Sequence, residues 1–316
     1  MQFPNICAAM PLRPCVCSEK APRLTALRLR AMNKVFQIGD FVFRLIADDE
    51  VIPPPNFMLF ECAIESVQYT YTIRISDDFP EVSGKITAQR MDLVVSESDG
   101  LETRLIGVKG SSGYYACYQE LSQQEALITL SPSRINGLHI DPVFVSLLAL
   151  ERRQIRYDAF VLHCAYIEHQ GKAILFSAPS ETGKTTQGNL WGQYKGAKTI
   201  NGDRALLQKV DGRWIARGWP VCGSSEVCNN ISLPVHAIVM LSQGKTDVVT
   251  KLSPMKAFSQ IYSQITINRW NTTANIRCMD LLEVLVREIP VWHLSCTISE
   301  NAVNTLANVL YPKEDT

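Results

Sequence analysis

Three consecutive residues, Gly183, Lys184 and Thr185, have the types and the order that bind the phosphates of a nucleotide. Glycine lets the backbone approach phosphate oxygens, lysine reaches the β- and γ-phosphates, and the threonine hydroxyl coordinates Mg²⁺. A helix that begins at this point adds the partial positive charge of its N-terminus. We therefore expect a nucleotide and Mg²⁺ to bind at a loop and helix start formed by nine residues: Ala178, Pro179, Ser180, Glu181, Thr182, Gly183, Lys184, Thr185 and Thr186.

The first position of this loop departs from the usual phosphate-binding pattern, G-x-x-x-x-G-K-[ST]. Ala178 stands where that pattern has glycine, so the backbone there must keep a negative φ. The apolar segment 173–177 comes directly before the loop and has the composition of a buried strand. This strand context favours a phosphate loop over the alternative, a surface turn with a solvated lysine.

One acidic residue, Asp203, follows the loop after a single predicted helix and strand. This connection can return Asp203 to a position beside the γ-phosphate, at the carboxyl edge of the neighbouring strand. A carboxylate there can bind Mg²⁺, together with Thr185, or accept the proton of an attacking hydroxyl. The alternative is an ion pair with Arg204 in a turn.

His163 lies in an apolar strand pattern before the loop. It can orient Asp203 or contact a γ-phosphate, or it can simply be hydrogen-bonded in the core. Arg204 and Arg217 can stabilise the charge of a transferred phosphoryl group, or they can form ordinary ion pairs. We therefore take Asp203, His163 and Lys184 as the candidate catalytic residues.

The elements that position these residues are predicted from periodicity and turn signals in the second half of the chain. The turn 169–172 and the Asp211-Gly212 pair predict two hairpins. The segment 218–230 is an irregular loop rich in Gly, Cys, Ser and Asn. We predict strands at 160–168, 172–177, 205–210, 213–217, 236–242 and 291–295, and helices at 183–194, 255–265, 281–287 and, from a capping box of Thr297 and Glu300, toward Leu310.

The first half has short, near-alternating runs of β-branched and aromatic residues, separated by Pro- and Gly-rich breakers. The pattern predicts an antiparallel meander with a helix at its end. The predicted strands are 35–46, 66–75, 91–95 and 114–118, and the predicted helix is 141–153. We therefore divide the chain into a poorly structured extension (1–31), a β-rich domain for substrate recognition (32–153) and a nucleotide-binding domain (154–316).

Composition excludes several classes of protein. The 316 residues are 46% hydrophobic, and the 31 basic and 31 acidic residues cancel. No net field therefore attracts nucleic acid or a membrane surface, and the apolar runs are too short to cross a bilayer. The ten cysteines are too sparse for a disulfide scaffold and indicate a cytoplasmic protein. Because patterned sequence begins at Met32, translation can start there instead of at Met1.

Together, His163, the loop, the acid in Gly202-Asp203-Arg204 and the segment 218–241 resemble the catalytic domain of HPr kinase/phosphorylase and its smaller relatives. The resemblance covers about half of the chain. It implies an α/β domain with a mixed sheet, a type shared with ATP-dependent phosphoenolpyruvate carboxykinase. It also implies an ATP- and Mg²⁺-dependent serine kinase that acts on a peptide or small protein. Because HPr-directed relatives are hexameric, it also makes a homo-oligomer an expectation.

One position departs from that family. Gly202 stands where HPr-directed members carry the first of two adjacent acids, so Asp203 is left to act as the base alone and the reverse, phosphorylase reaction is in doubt. Glu226, in the irregular loop, can supply a second carboxylate or lie exposed. Two alternatives stay open: a nucleotide-binding accessory protein without transfer activity, and a carboxykinase-like enzyme, for which the required cluster of arginines and metal ligands is missing.

Overall fold

The computed structural model of the chain describes residues 32–110 and 113–312. It has a mixed α/β architecture built on two mixed β-sheets, so the predicted combination of helices with a mixed sheet is confirmed. The predicted extension 1–31 lies outside the described residues, and the division at 153/154 stays a prediction. None of the helices in the described ranges is both long enough and apolar enough to span a bilayer.

The first sheet has eight strands in the order β1-β2-β3-β8-β7-β6-β5-β4. Their bounds are β1 Met32–Ile38, β2 Phe41–Ala47, β3 Tyr69–Ile75, β4 Lys85–Arg90, β5 Leu93–Ser98, β6 Leu101–Gly107, β7 Tyr114–Ser122 and β8 Glu125–Leu130. The prediction of an antiparallel meander is right for β4 to β8, and the sequential strands β1 and β2 also pair antiparallel. It is wrong for β3, which runs parallel to both β2 and β8.

The cause lies in the connections. Gly39, with φ +65°, turns the chain so that the predicted strand 35–46 becomes the β1–β2 hairpin. A longer connection containing the short helix α1, Pro55–Met58, then brings the chain back to start β3 beside β2 in the same direction. Alternation of apolar residues shows which side chains are buried, but it does not carry strand direction.

The predicted helix 141–153 is also wrong as a single element. It is divided into α2, Asp141–Leu147, and α3, Leu150–Gln154, by Ala149, whose φ of +47° is left-handed. All four residues from 147 to 150 are fully buried. Consecutive residues of one helix point in different directions, so a continuous helix would turn part of this run toward solvent.

The second sheet contains nine strands and carries the candidate site. Its strands are β9 Ala159–His169, β10 Lys172–Ser177, β11 Lys198–Asn201, β12 Arg204–Val210, β13 Arg213–Arg217, β14 Leu233–Gln243, β15 Val248–Lys251, β16 Ile265–Thr266 and β17 Val291–Cys296. The helices are α4 Lys184–Lys195, α5 Pro254–Tyr262, α6 Thr272–Glu288 and α7 Glu300–Leu310. The six predicted strands and four predicted helices of this half are present, but the helix predicted at 281–287 begins nine residues earlier, at Thr272, and the short strands β11, β15 and β16 were not predicted.

One capping residue differs from the prediction. Ser299, not Thr297, caps α7, because its hydroxyl accepts from the backbone N–H of Ala302 at 3.2 Å. Thr297 instead donates its backbone N–H to the carboxylate of Asp247 at 2.7 Å. The capping-box spacing therefore predicts the wrong hydroxyl, two residues too early.

Strand β9 changes its partner at the position of His163. Residues 159–163 pair with β12, whereas residues 164–169 pair with β10. The end of β10 at Ser177 lies opposite Cys164, and the start of β12 at Arg204 lies opposite His163. Buried side chains on the two faces of β9 pack against helices, with α5 and α6 in one core and α4 and α7 in another. The loop after β10 and the turn before β12 therefore meet beside His163.

Candidate active site

The loop 178–183, which we call the candidate phosphate loop, begins where the buried strand β10 ends. Ala178 is fully buried and packs in the core with Phe176 and Trp191. The left-handed residues of the loop are Glu181, with φ +65°, and Gly183, with φ +112°. Ala178 is not one of them, so the negative φ predicted there is confirmed. The alanine anchors the loop in the core, and later residues make its tight turn.

Lys184 holds the two ends of this loop together. Its ammonium donates to the backbone carbonyls of Ala178 at 3.0 Å and Pro179 at 3.2 Å. Burial lowers the pKa of Lys184 from its ordinary value, while the nearby Asp203 carboxylate opposes that shift. The lysine is therefore a buried cation that lies close to Asp203 and bonds only to neutral acceptors.

The first turn of α4 begins at the end of the loop. Its N-cap residue is Gly183, and among the described residues no side chain caps it. The first backbone bond at this end runs from the Gln187 N–H to the Gly183 carbonyl at 2.9 Å. The earlier N–H groups of a helix have no partner within the helix, which makes them donors for an anion. Thr185 and Thr186 line the cavity at this helix start.

Asp203 lies in a turn that is shaped by Asn201. The buried Asn201 side chain accepts from the backbone N–H groups of Asp203 and Arg204, both at 2.9 Å. It also donates to the carbonyls of Trp219 at 2.9 Å and Val221 at 3.1 Å. This asparagine therefore joins the turn to the irregular loop and fixes the backbone of the candidate base.

The Asp203 carboxylate is held by the His163 ring and the Arg204 guanidinium. His163 Nε2 lies 3.3 Å from Asp203 Oδ1, and Arg204 Nε lies 3.0 Å from Asp203 Oδ2. Burial raises the pKa of Asp203, but the hydrogen bond from His163 and the charge of Arg204 outweigh it, so the pKa falls below its ordinary value. Asp203 is therefore ionised at neutral pH and its orientation is fixed.

His163 is itself fixed on both sides. Its backbone carbonyl accepts from the Ser177 hydroxyl at 2.8 Å, which ties it to the end of β10. Its other ring nitrogen, Nδ1, lies 3.4 Å from the Gln264 side-chain oxygen. The histidine thus connects the end of the strand before the loop with the candidate base, and of its two predicted roles the geometry favours the orienting one.

A cavity of about 340 Å³ collects most of the predicted residues. Its walls include His163, Ser180, Glu181, Gly183, Lys184, Thr185, Thr186 and Asp203, with Gly202 and Ser224. Ala178 and Pro179 contribute carbonyls to Lys184 and do not line it, and Thr182 lines a second cavity on the other side of the loop. Glu226 is exposed and is not part of the wall, so it does not supply a second carboxylate beside Asp203.

The predicted position of Asp203 needs one correction. The sequence places it on the strand next to β10, but β9 lies between β10 and β11 and is antiparallel to both. The carboxyl ends of β10 and β11 therefore point to the same edge without being neighbours. His163 on β9 fills the space between them, which explains why it contacts Asp203.

Gly202 is required by close packing. A Cβ atom built on it would lie 1.9 Å from Ser225 Oγ and 2.2 Å from Ser225 Cβ, far inside contact distance. A Cβ atom built on the neighbouring Gly223 would lie 3.0 Å from Cβ and Cγ of Asp203, so this glycine is also closely packed. The irregular loop thus occupies the space in which a side chain at position 202 would lie.

Asn201, Ser224 and Gly223 belong to the site but were not predicted from the sequence. A signal existed for Asn201, because asparagine two residues before a turn position commonly bonds to that backbone N–H. Ser224 and Gly223 carried no local signal, since only the folded path of the irregular loop brings them to Asp203.

Comparison with known proteins places the chain in a family. The family model described as "SynChlorMet cassette protein ScmC" matches residues 129–311, more than half of the chain. The chain belongs to this family. The matched ScmC region contains the candidate phosphate loop, His163, Asp203 and the irregular loop. None of the curated proteins matches the chain.

Among solved structures, the HPr(Ser) kinase/phosphatase from Coxiella burnetii shows a weak similarity to this ScmC-family chain. The two chains are 11% identical, with a TM-score of 0.28, over 47% of this chain and 95% of that one. A likeness this weak does not establish the fold or activity, so the relation to HPr kinase/phosphorylase stays a prediction.

Proposed function

We propose that this chain is a kinase that transfers the γ-phosphoryl group of ATP, with Mg²⁺, to a serine hydroxyl of a peptide or small protein. The observation that supports it is the 340 Å³ cavity, where the helix start at Lys184 and Thr185 faces the fixed carboxylate of Asp203. A phosphate-binding element and a candidate base in one cavity are the minimal requirements of phosphoryl transfer.

The residues at this cavity fit a magnesium nucleotide. The uncapped start of α4 offers backbone N–H donors to phosphate oxygens. Thr185 and Asp203 supply the hydroxyl and carboxylate oxygens that Mg²⁺ prefers. Moving the Lys184 ammonium from two neutral carbonyls to charged phosphate oxygens would exchange weaker hydrogen bonds for stronger, charge-assisted ones.

When bound, ATP supplies the phosphoryl group and Mg²⁺ neutralises phosphate charge. The residues of the chain then position the acceptor and receive its proton. His163 and Arg204 hold the Asp203 carboxylate so that it accepts a hydrogen bond from the acceptor hydroxyl and, later, its proton. A carboxylate with a lowered pKa is a weak base, which suits a loose transition state in which positioning contributes more than proton abstraction.

The acceptor and the setting of the reaction belong to the same proposal. The family is described as a cassette protein, so peptides and small proteins encoded beside this chain are the first acceptors to test. The β-rich first half would recognise this acceptor. A cytoplasmic location and a homo-oligomeric assembly stay predictions.

The test uses the purified chain, [γ-³²P]ATP, Mg²⁺ and the neighbouring peptides. The wild type should add one phosphate to an acceptor serine, seen by mass spectrometry. Asp203→Asn should reduce this transfer by about 100-fold or more and should still bind ATP.

Asp211→Asn is the matched control, because Asp211 lies in the exposed β12–β13 turn and forms no ion pair with any residue the structure describes. It should transfer phosphate at the wild-type rate. If the wild type binds ATP but transfers phosphate to no acceptor, the kinase proposal is wrong, and the chain is a nucleotide-binding accessory protein.

A further inference from the structure

A second cavity, of about 610 Å³, lies on the opposite side of the candidate phosphate loop. It shares Glu181, Gly183 and Thr186 with the Asp203 cavity. The remaining wall comes from Thr182, Gln187 and the segments that follow β14 and β17. Because the two cavities share the loop, a ligand whose phosphates contact the start of α4 can extend into both.

One polar group in this wall has no partner. Gln187 is 2% exposed, and its side-chain oxygen Oε1 accepts no hydrogen bond from any described residue. Its amide nitrogen donates to Cys296 Sγ at 3.3 Å and makes a long contact of 3.5 Å to the Thr297 carbonyl. A buried acceptor without a donor is costly, and a ligand donor can relieve that cost after a small side-chain movement.

The rim of the cavity presents an apolar side chain to solvent. Ile298 is 80% exposed. The residues on both sides of it are fixed by one carboxylate, because Thr297 N–H and Ser299 Oγ donate to Asp247 at 2.7 and 3.2 Å. The isoleucine is therefore held on a rigid segment at the edge of a cavity, where a flat ring could cover it.

We propose that this second cavity binds the nucleoside of the nucleotide, with the base against Ile298 and the ribose near Thr182 and Thr186. The inference rests on the proposed kinase function, which requires the terminal phosphate to face Asp203. In a nucleoside triphosphate the nucleoside lies at the end opposite the transferred group. The second cavity is on the corresponding side of the loop.

The polar wall favours adenine over guanine. The unpaired Gln187 oxygen and the weakly engaged Thr297 carbonyl are both acceptors. The exocyclic amine of adenine is a donor at the position where guanine carries a carbonyl oxygen. With this edge of the base turned toward the two acceptors, adenine would supply the missing donor, whereas guanine in the same orientation would place its carbonyl oxygen against them.

The experiment compares ligands with and without a nucleoside by titration calorimetry in the presence of Mg²⁺. The full chain should bind ATP at least tenfold more tightly than inorganic tripolyphosphate, and more tightly than GTP. Ile298→Ser should weaken ATP binding by about tenfold and leave tripolyphosphate binding unchanged, because only the apolar contact with the base is lost.

Met255→Ser is the matched control, since Met255 is 84% exposed and is not in the wall of either cavity. It should bind both ligands as the wild type does. Equal affinities for ATP and tripolyphosphate would overturn the nucleoside site while leaving phosphate binding at the loop intact. Equal affinities for ATP and GTP would overturn the choice of adenine. Failure to bind either phosphate compound would refute the proposed function, and the nucleoside site with it.

Discussion

Two groups of charged side chains in this molecule have similar composition and opposite surroundings. The buried charge network of the first half comprises Glu102, Arg104, Glu120, Arg152 and Arg153, each 1–7% exposed. The Asp203 cluster comprises His163, Asp203 and Arg204, whose side chains are 20–28% exposed. Both join arginine to carboxylate, so residue type alone does not separate them.

The two groups differ in how completely their carboxylates are hydrogen-bonded and in whether a ligand can reach them. Glu120 accepts from Arg152, Arg153, the Tyr118 hydroxyl and the backbone N–H of Glu102, so its oxygens have no capacity left. Asp203 has one partner side chain on each oxygen and faces a cavity. A saturated, enclosed carboxylate contributes to the structure, whereas a fixed carboxylate that is still accessible can also act on a ligand.

The sharpest test of this contrast is Glu120→Gln. Removing one charge leaves Arg152 and Arg153 with an uncompensated buried charge, which costs about 3–5 kcal/mol of unfolding free energy. Urea unfolding followed by circular dichroism measures the change. A substitution in this network should therefore cost more stability than one in the Asp203 cluster.

The control for Glu120→Gln is Glu61→Gln, which breaks the exposed ion pair between Lys34 and Glu61. Exposed pairs contribute about 0–1 kcal/mol, so this variant should unfold nearly as the wild type does. If the two variants lose similar amounts of stability, enclosure does not distinguish the charged groups and the contrast fails.

The fold was predictable where local patterns determine it. In the second half, strands and helices followed from periodicity, and the Asp211-Gly212 turn was confirmed because both residues take the left-handed conformation of such hairpins. In the first half, the parallel placement of β3 and the break at Ala149 were missed. Both depend on long connections and on which residues must share one core, and no short window of sequence contains that information.

The residues of the candidate site also divide into those that local sequence predicts and those that depend on the fold. Gly183, Lys184 and Asp203 were identified because their types and order carry a chemical meaning. The bond from Asn201 to Trp219 and the packing of Ser225 against Gly202 were not, since they join segments whose proximity only the fold creates. The sequence shows glycine at position 202, directly before Asp203, and the structure shows that Ser225 occupies the space where a side chain there would lie.

The packing of Ser225 against Gly202, next to the Asp203 cluster, predicts a loss of stability of intermediate size. Gly202→Asp would create a pair of adjacent acids but would push its Cβ into Ser225. We expect it to destabilise the protein by about 1–3 kcal/mol, the range for overpacking. Adding Ser225→Gly should recover most of this loss, and a double-mutant cycle of unfolding free energies measures the coupling.

Independent, additive effects of Gly202→Asp and Ser225→Gly would show that the two positions do not compete for one space. The matched single variant Ser225→Gly is needed for this cycle in any case. It removes the hydroxyl that donates to the Cys222 carbonyl at 2.7 Å, so its own small cost must be subtracted.

The smallest predicted effect concerns acid stability. Asp203 and Glu120 both have lowered pKa values in the folded protein, because hydrogen bonds from neighbouring side chains and the positive charge of nearby arginines outweigh the burial that would raise them. Each ionised carboxylate therefore contributes stability that is present above the ordinary pKa, about 4, and is lost as pH falls through the lower folded value. For the partly open Asp203 we expect this contribution to be under about 1 kcal/mol.

Asp203→Asn should thus be slightly less stable than the wild type at pH 6 and should lose less stability between pH 5 and pH 3. Unfolding measured across that range, with Asp211→Asn as the reference, tests this; a steeper acid loss in Asp203→Asn would contradict the assigned ion pairs.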